Sequence, residues 1–239
     1  MAKASPTAAH QRYRNKNGAI VPGVTTVIGL LAKPALVPWA WKLGMQGEDM
    51  NKVRDMAAEI GTATHYMAEC RLKNEQPDFQ HTTPFVKEQA MSLMPAFDKY
   101  MADNPAKTLG SEVSVVSEKW QFGGCIDWIA VPESTGLITI RDIKTSAGIY
   151  PEYRIQLVAY KEAWDEVNPG LPIAAIEALH LDKKTKLLTV YPFDDLKSEW
   201  EIFKHLRAIY MLQKKADPKR NKKQSVAYRK TGKLGGTVL

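Results

Sequence analysis

Two short runs constrain this chain more than any other feature: Gly123-Gly124-Cys125-Ile126-Asp127 and Ile140-Arg141-Asp142-Ile143-Lys144-Thr145. Ile138 and Ile140 share a two-residue period with Asp142 and Lys144, so a strand carries apolar residues and then charges on one face. Charges in such a place are partly buried, which is costly unless they are paired or bind a metal. Asp127 closes an otherwise apolar strand one turn earlier, so the two carboxylates can meet across neighbouring strands.

The tripeptide Asp-x-Lys carries no weight alone. Three further copies, Asp182/Lys184, Asp195/Lys197 and Asp217/Lys219, fall in an expected hairpin turn, at an expected helix start and in a basic tail. Asp142 and Lys144 stand apart because they continue a strand. Two readings follow. Asp127 and Asp142 hold a hard divalent cation, Mg²⁺ or Mn²⁺, while Lys144 orients or deprotonates an attacking water. Alternatively Asp142 and Lys144 form a buried ion pair and Asp127 caps a bulge. The first reading points to phosphodiester cleavage.

The rest of the chain supplies a frame. Val24–Ile28 fits a helix or a strand, and the segment with Pro34, Pro38, Trp39 and Trp41 reads as a hydrophobic lid or helical hairpin, with packing the role expected of its tryptophans. A helix is predicted from about 48 to 72, with Gly61, His65 and Glu69 on one face at successive four-residue steps. Gly61 costs roughly 1 kcal/mol there, which implies close approach to the sheet. A second helix is expected over 85–101, with Phe97 and Tyr100 facing inward. Strands over 112–119, 120–131 and 137–145 form an antiparallel meander, followed by a helix over 152–167 and strands over 173–181 and 187–191. A last helix is expected from Asp194, as its cap, to about 215. The order helix, three strands, helix, strand gives an α/β fold with a mixed central sheet flanked by helices.

At 239 residues the chain suits one domain, here 1–215, with a helical excursion over about 24–105, a core over about 48–192 and a basic tail from 216 to 239. Its net charge is +7. The excess lies at the ends: Lys219, Arg220, Lys222 and Lys223 lead the C-terminal run, and Lys3, Arg12, Arg14 and Lys16 the N-terminal one. The body between them is slightly acidic. Such ends suit a polyanionic partner gripped in a salt-dependent way, or serve as solvated tails. No apolar run spans a bilayer, and residues 1–17 lack the apolar core of an export signal, so a cytoplasmic setting is expected, with a mitochondrial one second. Cys70 and Cys125 are too few for a disulfide framework.

The series Gly61-x-x-x-His65, Glu112, Gly124-x-x-Asp127, Asp142-Ile143-Lys144 and Gln156-x-x-x-Tyr160 resembles the PD-(D/E)xK nuclease superfamily, in its RecB-like branch with a trailing Q-x-x-x-Y motif. The likeness covers roughly residues 61–160. The stretch from Tyr13-Arg14 to Val21-Pro22-Gly23-Val24-Thr25-Thr26-Val27 is similar to phage-encoded exonucleases and to the mitochondrial genome-maintenance exonuclease of that branch.

This resemblance implies a restriction-endonuclease-like core. It implies that Asp127, Asp142, the Ile143 carbonyl and His65 ligate Mg²⁺ or Mn²⁺, that Lys144 serves the water, and that Glu112 supports the site or a second metal. Gln156 and Tyr160 hold the catalytic strand and contact DNA. Two cysteines exclude the relatives that carry a four-cysteine iron–sulfur cluster, and no Walker A run is present. The activity implied is a metal-dependent DNA exonuclease acting at DNA ends in phage recombination, repair or end processing, with a recombination or single-strand-binding protein as a possible partner. The alternatives are an endonuclease of the same superfamily and a DNA-binding protein of this fold without turnover.

Overall fold

A computed structural model describes residues 12–216. The elements run α1 (Val24–Ile28), α2 (Leu36–Met45), α3 (Met50–Lys73), α4 (Pro84–Met91), α5 (Met94–Asp103), β1 (Ala106–Ser117), β2 (Phe122–Pro132), β3 (Thr139–Lys144), α6 (Pro151–Val167), β4 (Ala175–Leu181), β5 (Leu188–Pro192) and α7 (Lys197–Ala216). The five strands form one sheet in the order β1-β2-β3-β4-β5. All neighbours are antiparallel except β3 and β4, which run parallel with α6 as the crossover. This is the mixed sheet flanked by helices that the sequence pattern predicts.

Local chemistry sets most boundaries. Asp49 caps α3 by accepting from the Asn51 N–H at 2.8 Å, and Asn74 ends it in the left-handed conformation, with φ 56°. Thr83 caps α4 ahead of Pro84, and Pro151 opens α6, where its missing N–H costs nothing. The single helix expected over 85–101 is two, because the chain turns at Ser92 and Leu93 and restarts with Pro95 in the first turn of α5. Phe97 and Tyr100 are buried as expected. Asp194 does not cap α7, which begins three residues later, after Asp195 at φ 44°.

The sheet separates two apolar layers. Ile126, Ile129, Ile140 and Ile176 pack with α1, α6 and α7, where Phe203 is the most deeply buried α7 residue. Trp128, Ala130, Ile143 and Leu179 pack with α3, α4 and α5. The strands of β3 and β4 alternate cleanly between these layers, but β2 does not. Ile126 and Ile129 share one layer although they are an odd number of residues apart, so the alternation slips at Asp127 and Trp128. Opposite the slip, Glu112 of β1 has φ 50°, a left-handed value that costs a non-glycine residue energy.

The first excursion departs from expectation. Val24–Ile28 is helical and packed, whereas α2 buries no residue, and Trp41 is 69% exposed instead of packed. Among the described residues no helix is long and apolar enough to cross a membrane. The basic residues Lys219, Arg220, Lys222 and Lys223 lie outside the described residues.

Candidate metal and catalytic site

The slip in β2 builds the site. Pairing between β2 and β3 runs from Ala130 and Thr139 to Trp128 and Arg141 and then stops. Beyond that point the Asp127 carboxylate accepts the Ile143 N–H at 2.8 Å, which supplies an acceptor where the ladder has ended. Asp127 therefore sits in the gap between two strands. Its other contact is His65 on α3, whose Nδ1 lies 3.2 Å from Asp127 Oδ2. His65 reaches it because α3 comes close to the end of β3: a Cβ on Gly61 would lie 3.1 Å from Thr145 Oγ1. That close approach is what the glycine implied.

Donor atoms of His65, Glu112 and Asp127 converge within 4.8 Å of one another. Among the described residues this is the one such group of histidine, cysteine and acidic side chains. Glu112 joins it from the strained position on β1, and Cys125 donates its thiol to Glu112 Oε2 at 3.3 Å. Asp142 stands outside this group. It is 1% exposed, and its Oδ2 lies 2.5 Å from Lys144 Nζ. Asp142 Oδ2 is therefore paired with the lysine, while Oδ1 is buried without a hydrogen-bond partner. A buried carboxylate in that state, beside a converging nitrogen and oxygen donor set, fits a hard divalent cation.

Lys144 is held from the other side. Its ammonium donates to Gln156 Oε1 at 3.1 Å, Gln156 Nε2 donates to the Tyr160 hydroxyl at 2.8 Å, and the Tyr153 ring centroid lies 4.7 Å away. Tyr153, Gln156 and Tyr160 occupy one face of α6. The two glycines of the first run make room: a Cβ on Gly124 would lie 2.4 Å from the Tyr160 ring, and one on Gly123 would meet Tyr13 at the same distance. Sequence reasoning left Tyr153, Tyr13 and Cys125 out of the site. The helical spacing from Gln156 could have pointed to Tyr153, and the glycine pair to two bulky neighbours.

Of the other Asp-x-Lys copies, Asp217/Lys219 lies outside the described residues and the remaining two are ordinary. Asp182 accepts the Lys184 and Thr185 N–H groups in a turn, and Asp195 precedes α7.

Burial raises the Glu112 carboxyl to about 7, with the Asp127 charge adding to it. Burial likewise raises Asp142 to about 6, against the pull of Lys144 and with a push from Asp127. Burial also disfavours charge on His65, Asp127 and Lys144. For His65 the Asp127 carboxylate outweighs it and the shift is upward, while Asp127 is held below its usual range by His65. Lys144 is raised because Asp142 and Asp127 outweigh its burial.

Glu112, Asp142 and His65 thus bind their protons more tightly in the folded chain than in the unfolded one. Stability carried by such protons is complete below the unfolded values and is lost as pH rises through the folded ones. The metal-free protein is expected to melt at progressively lower temperature from about pH 4.5 to above about pH 7. Mn²⁺ should restore the melting point most at the alkaline end, where its ligands are already deprotonated. Melting curves in EDTA and in Mn²⁺ across that range check both; a melting point that rises with pH in EDTA contradicts the scheme.

No protein-family model and no curated protein sequence matches the chain. Among solved structures it is similar to a candidate exonuclease of Eubacterium rectale, with 14% identity and a TM-score of 0.43. That match covers 66% of this chain and 65% of the other, just under two-thirds of the neighbour's length. It is also similar to an alkaline exonuclease of Laribacter hongkongensis, at 14% identity and a TM-score of 0.40 over 70% of this chain and 89% of that one. The same enzyme in complex with dAMP gives a TM-score of 0.39 at 14% identity and the same coverage.

Proposed function

We propose that this chain is a metal-dependent DNA exonuclease of the PD-(D/E)xK type, in the RecB-like branch that carries the Gln156-x-x-x-Tyr160 motif. One observation carries the reading: Asp142, buried with one oxygen paired to a buried lysine and the other without a partner, lies next to the converging donors of His65, Glu112 and Asp127. An ion pair serving stability alone has no need of that neighbouring donor set. Residues 1–215 act as a single nuclease domain, and the basic run from 216 to 239 adds salt-dependent grip on DNA.

Glu112, Asp127 and His65 would hold Mg²⁺ or Mn²⁺, with Asp142 beside them. The bound ion supplies positive charge next to a phosphate and lowers the pKa of its water. The chain's own residues do the rest. Lys144 keeps its ammonium fixed between Asp142 and Gln156, in place to orient the attacking water and to offset charge on the phosphate oxygens. Gln156 and Tyr160 keep Lys144 extended, and the Ile143 N–H keeps Asp127 aimed into the gap between the strands. Attack from DNA ends is supported by the likeness of the Tyr13–Val27 segment to phage-encoded exonucleases. End processing in recombination or repair is the class of task that follows.

The test uses end-labelled linear DNA and covalently closed circles with Mg²⁺, Mn²⁺ or EDTA. Loss of linear DNA only, and only with metal, is the expected result. Cut circles would replace the exonuclease by an endonuclease. Linear DNA that is bound in Mn²⁺ but never cut would end the enzyme reading.

A further inference from the structure

The segment between β3 and α6 presents an aromatic ring to solvent from a rigid mount. His180 Nε2 shares a hydrogen bond with the Ser146 carbonyl at 2.8 Å, and Ser146 Oγ donates to the Gly148 carbonyl at 2.7 Å. Pro151 then fixes the backbone at the start of α6. Tyr150 is the residue before it, in extended conformation, with no capping bond from its side chain.

Tyr150 is 42% exposed. Its ring meets Tyr153 edge-on, with centroids 5.7 Å apart, and the far side of that contact is the Tyr153 ring 4.7 Å from Lys144 Nζ. Lys144, Tyr153 and Tyr150 therefore form a path from the buried ion pair to the surface. Lys33, just ahead of α2, pairs with Glu152 in the same first turn of α6 at 3.1 Å. Among the described residues Tyr150 is the exposed aromatic joined to Lys144 through a ring contact. Trp41 and Phe85 lack one, and Tyr191 packs on His180 instead.

A tyrosine ring held this way loses little freedom when a flat partner lands on it. Nucleobases are such partners, and stacking on an aromatic side chain is tolerant of sequence because every base has a π face. A base inside a duplex already stacks on both sides. A blunt end offers one free face on its last pair, held square to the duplex axis by pairing, whereas an unpaired base can turn its face onto the ring without unpairing.

We propose that Tyr150 is a stacking platform for a base of an unpaired DNA end, and that the site therefore favours single-stranded termini over blunt duplex ones. This rests on the nuclease reading above and adds the substrate class. Tyr150 positions the strand, while the reacting phosphate is left to the residues around Lys144.

The test measures binding of the full chain to a labelled single-stranded oligonucleotide and to a blunt duplex of the same sequence, with Ca²⁺ or EDTA in place of Mn²⁺. Tyr150→Ala is expected to weaken single-strand binding on the order of tenfold and to leave duplex binding within about twofold. Tyr150→Phe and Tyr150→Trp should bind as the unaltered protein does, since the flat face is kept. A 2-aminopurine in the oligonucleotide should be quenched by the unaltered protein and less so by Tyr150→Ala. Equal loss on both DNAs, no loss on either, or failure of Tyr150→Trp to bind while its melting point is normal would overturn the proposal. The two readings fail separately. An unaltered protein that cuts no DNA in Mn²⁺ removes the nuclease, whereas one that cuts DNA while Tyr150→Ala still binds single strands removes only the platform.

Discussion

Lys144→Ala is expected to reduce Mn²⁺-dependent cleavage of linear DNA by about 10²–10⁴-fold, the range for losing one positioned proton-transfer or charge-stabilising group. The lysine is 12% exposed, and among the described residues it is the cation paired with Asp142. Water admitted to the vacated space cannot replace a fixed ammonium that Gln156 orients. Binding of the same DNA in Ca²⁺ should change little, because the proposed grip comes from the basic ends and Tyr150. Without its cation the Asp142 carboxyl rises further and takes up a proton, so the variant should lose more stability at pH 8 than at pH 5.5. Single-turnover cleavage assays and melting curves at the two pH values check this. Cleavage within a fewfold of the unaltered protein would remove Lys144 from the mechanism.

Gly124→Ala is expected to damage both the fold and the activity. The added Cβ would lie 2.4 Å from Tyr160 Cε1 and 2.7 Å from Cδ1, and the Tyr160 ring is buried against the sheet. Overpacking of this sort costs about 1–3 kcal/mol, and the ring can yield only by dragging its hydroxyl from Gln156. Gln156 is also the anchor of Lys144, so a shift near 1 Å propagates to the reacting group, where misplacement of that size costs about 10²-fold. The double variant Gly124→Ala with Tyr160→Ala separates the two effects. It should lose less stability than the two single losses add up to, and recover none of the activity. Urea unfolding and cleavage rates on the four proteins of the cycle measure this, and strict additivity in stability would show that the two residues do not touch.

Much of the fold could be read from periodicity. The alternation through Ile138, Ile140 and Asp142, the helical spacing of Ile60, Thr64 and Met67, and the turn residues between strands are local signals, and local physics honours them. The break at Ser92 was missed because a continuous apolar pattern hides a change of helix direction. Trp41 was misjudged because large apolar residues are usually buried, and nothing in α2 shows that no partner element lies above it. Of the site, Asp127, Asp142 and Lys144 follow from the strand pattern, and His65, Glu112, Gln156 and Tyr160 from motif order. The structure gathers His65, Glu112 and Asp127 into one donor group and Lys144, Gln156 and Tyr160 into one hydrogen-bonded chain, with Asp142 against Lys144.

The sequence by itself determined which residues are carboxylates, which strand carries charge where apolar residues belong, and which glycines stand where bulk is expected. Tertiary structure alone decided how those carboxylates meet. The alternation of β2 slips at Asp127, opposite the left-handed Glu112, its pairing with β3 ends at Trp128, and the gap beyond lets α3 deliver His65 from one layer and α6 deliver Gln156 from the other. Asp127 and Ile143 are 16 residues apart in the chain, and Asp127 and His65 are far more distant still. No periodicity encodes a contact of that kind, because it depends on where two layers of packed helices settle against one sheet.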